Sequence, residues 1–348
     1  MTSTCRINAF VRGCEMKAVA LAMCLMGCAP PSTTMAPPAS DGTPASSATP
    51  TMFPTPNPDT GGPRMAYPLI LVHGLDGFKN IGPIDYFYGV ADALGKDGHN
   101  VQIAVMDAYN SSEVRGVQLQ AFVQNVLATT GAPKVKMICH SQGGLDCRYV
   151  ASNLGSKIAA IVTISTPHKG TPVADIATGD LPGPMQDAVD AILNLLGAAI
   201  SGTPDMNAQA ALDELSAKGA AAFGARHPDS PDVAYYSIAG RSNSATGDEA
   251  CGGSTEASFV ARWDRNVDPI NPLLSATGTI IANSDKPSTN DGLVPVDSAR
   301  YGTFLGCVPA DHLDEMNQIA GAGPGAGNPF DAILFYRQLA AWMVEQGY

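Results

Sequence analysis

The stretch Val135-Lys136-Met137-Ile138-Cys139-His140-Ser141-Gln142-Gly143-Gly144 decides the fold of this chain. Residues 135–139 are mostly apolar, the pattern of a short strand buried on both faces. A helical pattern follows Gly144 and runs through Tyr149. A strand that turns sharply into a helix, with a serine at the turn, is a nucleophile elbow. The turn needs small residues on either side of the serine. Gly143 meets that need two positions after Ser141. Two positions before it, Cys139 stands where glycine is usual, so strand and helix are expected to separate slightly there.

Working outward, apolar runs alternate with helical patterns. Pro68 to Val72, Val101 to Met106, Ile158 to Ile164, Val233 to Ile238 and Thr279 to Ala282 read as strands. Ile84 to Leu94 and Glu113 to Thr129 read as helices, the second with Val117, Phe122, Val126 and Leu127 at helical spacing. A last helix is expected from Asn328 as N-cap and Pro329 at its first position, carrying Ile333, Leu334, Leu339, Trp342 and Met343. Continuous apolar strands separated by helices predict an α/β fold, a mostly parallel sheet covered on both faces. No internal repeat is visible.

A serine hydroxyl is a weak nucleophile without a base, and this architecture runs in the chain order Ser, acid, His. His312 in Ala310-Asp311-His312-Leu313-Asp314 follows the last strands and precedes the last helix. His168 is its rival, but it precedes any suitable acid. His73 and His140 sit at strand ends, where they are expected to shape the loops, and His99 and His227 lie in polar loops. The acid candidate is Asp291 in Asn290-Asp291-Gly292, with Asp285 and Asp297 as alternatives. The oxyanion hole of such a site needs two backbone N–H groups. Gln142 follows the nucleophile directly, and Leu75 lies in the loop His73-Gly74-Leu75 after the first strand.

Before this domain the composition changes. Arg6, Arg12 and Lys17 precede a short apolar run, Ala18 to Met26, which reads as an export signal and is too short to span a bilayer. Met16-Lys17 begins a compact signal by itself. Ala29 to Arg64 is dominated by Pro, Thr, Ser and Ala and cannot bury enough apolar surface to offset its ordering entropy. The expected layout is a signal segment over 1–28, an extended linker over 29–65 and one catalytic domain over 66–348, with a lid over about 173–225. Within it Met185 to Ile200 reads as an amphipathic helix, at the place where the family resemblance given below implies the lid: Val189, Ile192, Leu195, Leu196 and Ile200 form an apolar stripe opposite Asp187 and Asp190. The alternative is a helix packed on a core.

The chain has 348 residues and a net charge of −12 with no basic stripe, which argues against nucleic acid as a partner. A monomer is expected. Of its eight cysteines, Cys5, Cys14 and Cys24 fall in the removed segment. Cys139 and Cys147 flank the elbow and read as buried free thiols. Cys251 and Cys307 lie in polar loops of an exported domain, which favours a disulfide over two exposed thiols.

Two resemblances extend this reading. Leu25-Met26-Gly27-Cys28 resembles the lipobox of bacterial lipoproteins, which implies an acylated Cys28 and a membrane lipid anchor, with plain secretion as the alternative. The catalytic domain resembles the Pseudomonas-type bacterial triacylglycerol lipases. The matching stretches are YPLILVHGLDGF at 67–78, SEVRGVQLQAFV at 112–123, HSQGGLDCRYV at 140–150, STPHKGTPVAD at 165–175, NDGLVPV at 290–296 and DHLDEMNQ at 311–318. The resemblance implies an α/β-hydrolase fold, hydrolysis of acylglycerol esters, Ser141, Asp291 and His312 as triad, and Leu75 and Gln142 as oxyanion donors. It also implies a structural calcium held by Asp268, Asp314, Gln318 and the carbonyl of Ala322, and a membrane-bound foldase as a possible partner. Competing readings are a short-chain esterase or polyester depolymerase on the same fold, and a surface lipoprotein whose hydrolase domain only binds lipid.

Overall fold

A computed structural model describes residues 67–75, 80–81, 84–180, 207–242, 251–252, 257–263, 266–284, 288–318, 321 and 328–348. The signal and linker readings, Cys28, Asp285, Ala322 and the Met185–Ile200 helix lie outside the described residues.

The strands are β1 (Leu69–Val72), β2 (Asn80–Ile81), β3 (Ile84–Asp85), β4 (Val101–Ala104), β5 (Val135–His140), β6 (Ile158–Ile164), β7 (Ala234–Gly240) and β8 (Thr303–Val308). Six of them form one sheet in the order β4-β1-β5-β6-β7-β8. Every neighbouring pair in it is parallel. β2 and β3 pair antiparallel on their own. The helices are α1 (Val90–Lys96), α2 (Ser112–Thr130), α3 (Gly143–Leu154), α4 (Pro172–Ala177), α5 (Ala208–Leu215), α6 (Ala217–Arg226), α7 (Ser258–Ala261), α8 (Ser275–Ala282), α9 (Val296–Ala299) and α10 (Ala332–Glu345).

The period-2 alternation of the strands sorts their side chains between two cores. Leu69, Leu71, Ile138, Val162 and Ile164 meet α1 and α10 through Val90, Leu94, Phe335, Leu339 and Met343. Ile70, Val72, Met137 and Cys139 meet α2 and α3 through Leu119, Val123, Val126 and Val150. A parallel sheet covered on both faces puts the strand C-termini at one edge, where loops gather functional groups.

Three sequence expectations change. Ile84 to Leu94 is not one helix: Ile84–Asp85 is a strand, and α1 begins after Gly89, whose φ of 72° breaks any helix running in from upstream. Thr279 to Ala282 is the last part of a helix rather than a strand. Asn271 accepts from the Leu273 N–H and starts a 3-10 turn that continues into α8, which buries Thr277, Gly278 and Ile281 on one face. The last helix starts later than its proline suggests. Asp331 caps α10 by accepting from the Leu334 N–H at 2.9 Å. Asn328 instead donates to the Pro309 carbonyl at 2.7 Å and to Asp268 at 3.3 Å. β8 carries no strand expectation from sequence, because Gly306 and Cys307 dilute its apolar run.

Candidate active site

Ser141 sits between β5 and α3 with a φ of 55°, a left-handed value rare outside glycine. Close packing holds it there. Its N–H donates to the Ile164 carbonyl at 2.9 Å, and its own carbonyl accepts from the Thr166 hydroxyl at 2.7 Å. Gly143 and Gly144 have no room for a side chain. A Cβ on Gly143 would lie 2.6 Å from the His73 carbonyl oxygen, and one on Gly144 would lie 2.0 Å from Thr166 Oγ1. Since backbone oxygens cannot step aside, Gly143→Ala is expected to cost about 2–3 kcal/mol of stability by overpacking. Urea denaturation of the purified variant measures this.

His312 and Asp291 approach from loops on either side of β8. His312 Nε2 lies 2.9 Å from Ser141 Oγ, and His312 Nδ1 lies 2.7 Å from Asp291 Oδ2. The second Asp291 oxygen accepts from the Leu293 and Val294 N–H groups at 2.8 and 2.7 Å, which fixes the carboxylate plane. The His312 N–H donates back to the Asp291 carbonyl at 2.9 Å. All three side chains are buried. The alternatives are elsewhere. Asp297 lies on α9, whereas His168 stacks on Tyr301 and bonds Thr163 Oγ1 at 3.1 Å.

The β1 loop packs against the elbow. A Cβ on Gly74 would lie 2.5 Å from Ser141 Cβ, which puts Leu75 one residue beyond the closest approach. Among the described residues, no hydrogen bond takes up the backbone N–H of Leu75 or Gln142. The Gln142 side chain donates to the Asn110 carbonyl at 2.8 Å, tying the elbow to the loop before α2. Fully buried Arg115 ties the same pieces together, donating to Asp146 on α3 at 2.9 Å, the His73 carbonyl at 2.7 Å and the Asp107 carbonyl at 2.6 Å.

Behind the histidine lies a polar network that sequence reasoning missed. Gly74 N–H donates to the Tyr86 hydroxyl at 3.0 Å, and that hydroxyl lies 2.8 Å from His140 Nδ1. His140 Nε2 lies 3.0 Å from Glu315 Oε2, and the Ser165 hydroxyl donates to Glu315 Oε1 at 2.6 Å. With the tyrosine proton turned to Nδ1, the His140 proton sits on Nε2 and faces Glu315. Burial holds His140 well below its ordinary pKa, helped by the neighbouring His312. Burial, and then the Asp291 charge, push the Glu315 carboxyl well above the carboxylate range. The only sequence signal for Glu315 was its place in the 311–318 stretch.

A second acidic cluster lies beside the His312 loop. Ligand-type oxygens of Asp268, Asp311 and Asp314 all fall within 4.8 Å of one another, and all three residues are buried. Burial first, and then the neighbouring carboxylates, raise Asp268 to about 6 and Asp314 to about 8. Clustered buried carboxylates of this kind suit a hard cation. Asp268 also accepts from the Ser242 hydroxyl at 2.8 Å. Asp311, absent from the expected ligand set, already accepts three N–H groups, from Leu313, Asp314 and Asn271. Gln318 is also buried, and its side chain donates to the Tyr86 carbonyl at 2.7 Å.

The expected Cys251–Cys307 disulfide is present. Cys139 and Cys147 are not free thiols, because they form a second disulfide. Cys139 points to the face of β5 that α3 covers, and Cys147 lies one helical turn beyond Gly143, so strand and helix bring the two sulfurs together. Disulfides belong to an oxidising, extracytoplasmic setting. No described helix is long and apolar enough to cross a membrane. Cys251 and Cys307 close a loop with a separation of 56 residues, so replacing both with alanine is expected to remove about 4 kcal/mol in the chain-entropy model. Thermal unfolding of oxidised wild type and variant tests this.

A serine at a strained elbow, an imidazole on its oxygen and a carboxylate on the imidazole define a hydrolase-type site on a parallel α/β sheet. Residues 67–265 match the family model described as alpha/beta hydrolase fold. The chain is 33% identical to a triacylglycerol lipase of Pseudarthrobacter phenanthrenivorans, over 77% of this chain and 94% of that protein. It is 33% identical to one of Burkholderia plantarii, over 77% and 84%. It is 34% identical to one of Vibrio cholerae, over 82% and 89%. Among solved structures, the mature lipase of Bacillus licheniformis aligns with a TM-score of 0.52 at 20% identity, over 78% of this chain and 91% of that one. A metagenomic carboxyl esterase aligns with a TM-score of 0.58 at 20% identity, over 85% and 80%. The chain belongs to the bacterial triacylglycerol lipase family of α/β-hydrolase-fold enzymes.

Proposed function

We propose that this chain hydrolyses the ester bonds of acylglycerols, with Ser141 as nucleophile, His312 as general base and acid, and Asp291 as the group that orients the imidazole. The unbroken relay from Ser141 Oγ through His312 to Asp291, at 2.9 and 2.7 Å, carries this reading. Ser141 Oγ attacks the ester carbonyl carbon as His312 Nε2 takes its proton. The carbonyl oxygen becomes an oxyanion, received by the Leu75 and Gln142 N–H groups. The C–O bond to glycerol then breaks, and the departing oxygen takes the proton from His312 Nε2. Water repeats the sequence on the acyl-enzyme and releases a fatty acid.

Asp268 and Asp314, with Gln318 and Ala322, would hold a calcium ion. Bound there, it would neutralise the buried carboxylates and steady the His312 loop, a structural role. The chain region around 173–225 is the lid in this reading, opening at an oil–water interface over an acyl groove. A signal over 1–28 and a linker over 29–65 would export the 66–348 domain and, through an acylated Cys28, tether it to a membrane. A foldase fits the family but has no signature in this chain.

The test is a triacylglycerol series from short to long acyl chains, presented as emulsions and compared with soluble short-chain esters. Hydrolysis of the long-chain emulsions supports the lipase reading. Turnover confined to soluble short-chain esters would replace it with an esterase.

A further inference from the structure

The bond between Cys139 and Cys147 closes a ring around the elbow: His140, Ser141, Gln142 and Gly143 all lie between the two joined residues. Neither end is loose. Cys139 is in register with Val72 on β1 and Thr163 on β6, in the middle of the sheet. Cys147 is held on the sheet side of α3, and both cysteines have no exposed surface.

The elbow sets two opposing demands on this spot. Gly143 and Gly144 seat the start of α3 directly against the His73 carbonyl and Thr166, at approaches that leave no space for a methyl group. Cys139 meanwhile places a side chain between β5 and α3 at the position where a smaller residue would let them close. One covalent bond satisfies both. Without the bond nothing draws α3 onto β5 around the side chain at position 139, and contact packing alone then sets the spacing of strand and helix. The nearest adjustable element is the start of α3, which carries the Gln142 N–H and bears on Ser141. A serine at a φ of 55° holds that conformation only while its surroundings over-determine it.

We propose that the Cys139–Cys147 bond is a positioning element of the reaction, holding Ser141 and the Gln142 N–H in their catalytic geometry around a side chain the elbow would otherwise exclude. This rests on the function proposed above. It assigns Cys139 and Cys147 a role beyond stability, acting through the residues between them.

The test uses the full chain with calcium present and two double variants, Cys139→Ala with Cys147→Ala and Cys139→Gly with Cys147→Ala. Three quantities are read: kcat and KM on a soluble p-nitrophenyl ester, the rate of Ser141 modification by an alkyl fluorophosphonate, and thermal stability. Rates are normalised to the folded fraction seen by circular dichroism. For the alanine pair, kcat and the modification rate should fall about tenfold, the scale of a sub-ångström misplacement, with KM within about twofold. The glycine pair should recover to within about threefold of wild type while being less stable than the alanine pair, because glycine removes the obstruction and adds backbone entropy.

A purely stabilising disulfide predicts that both pairs lose only thermal stability, with kcat and the modification rate per folded molecule unchanged, and that result overturns the proposal. Unchanged modification of Ser141 in the alanine pair overturns it as well. Failure of the probe to modify Ser141 in wild type would instead remove the proposed function, and this inference with it.

Discussion

Ser141→Ala should abolish turnover while leaving the fold intact. The substitution removes only Oγ, and Cβ and the left-handed backbone stay as they are. The contacts that hold the elbow are made by the Ser141 backbone, through the Ile164 carbonyl and the Thr166 hydroxyl, and survive. Stability should therefore change little, whereas kcat should drop by about 10⁵–10⁶, the cost of removing the nucleophile from a triad that acts as a unit. What remains is catalysis by oxyanion donors and binding alone. Asp291→Asn makes a sharper companion. The asparagine carbonyl can still accept from the Leu293 and Val294 N–H groups, but its amide would then face His312 Nδ1 with a donor. That forces the imidazole proton onto Nε2, where it blocks acceptance from Ser141, and kcat should fall about 10⁴-fold at neutral pH. Activity of either variant near wild type would point to a different nucleophile or acid.

Removing the proposed calcium should be the other large perturbation, and its size should depend on pH. Without a cation, Asp268 is raised to about 6 by burial and then by Asp311, and Asp314 to about 8 by burial and then by Asp311 and Asp268, both far above their unfolded values. A folded state that holds protons more tightly than the unfolded state loses stability as pH rises. The favourable contribution is complete below the unfolded carboxylate pKa near 4. It is lost as pH climbs through about 6 and then about 8. Chelated protein should thus melt progressively lower between pH 5 and pH 8. With calcium bound to the ionised carboxylates the dependence should flatten, because the ligand then favours the folded state. Since the cluster adjoins His312, activity should fall with the same pH dependence in chelator. Calorimetry at several pH values with and without chelator measures it, and identical melting curves would exclude a bound cation at these residues.

The parts of the fold legible in sequence were those where one local signal had one structural meaning. Buried parallel strands show as mostly apolar runs, and β1, β5 and β6 stand close to where those runs placed them. The weaker readings failed where local composition and tertiary context disagree. Thr279 to Ala282 is rich in β-branched residues, but the capped turn from Asn271 carries it into α8. β8 hides behind Gly306 and Cys307, the second of which pairs with Cys251. The site divides in the same way. Ser141, Asp291 and His312 each sit in a short motif, and the structure brings the three together within hydrogen-bonding distance. Glu315, Tyr86 and Asp311 carry no motif of their own, since their roles come from contacts between segments far apart in sequence. The elbow disulfide was hidden for a related reason: pairing a strand cysteine with one a helical turn past the glycines requires knowing how closely α3 returns over β5.

The most direct measurement is the site of acylation. The protein would be mixed with a slowly deacylating ester, quenched in acid, digested and mapped by mass spectrometry. The relay from Ser141 through His312 to Asp291 predicts a single acyl adduct, on Ser141, that disappears in Ser141→Ala. An adduct on another residue, or full turnover by Ser141→Ala, would contradict it.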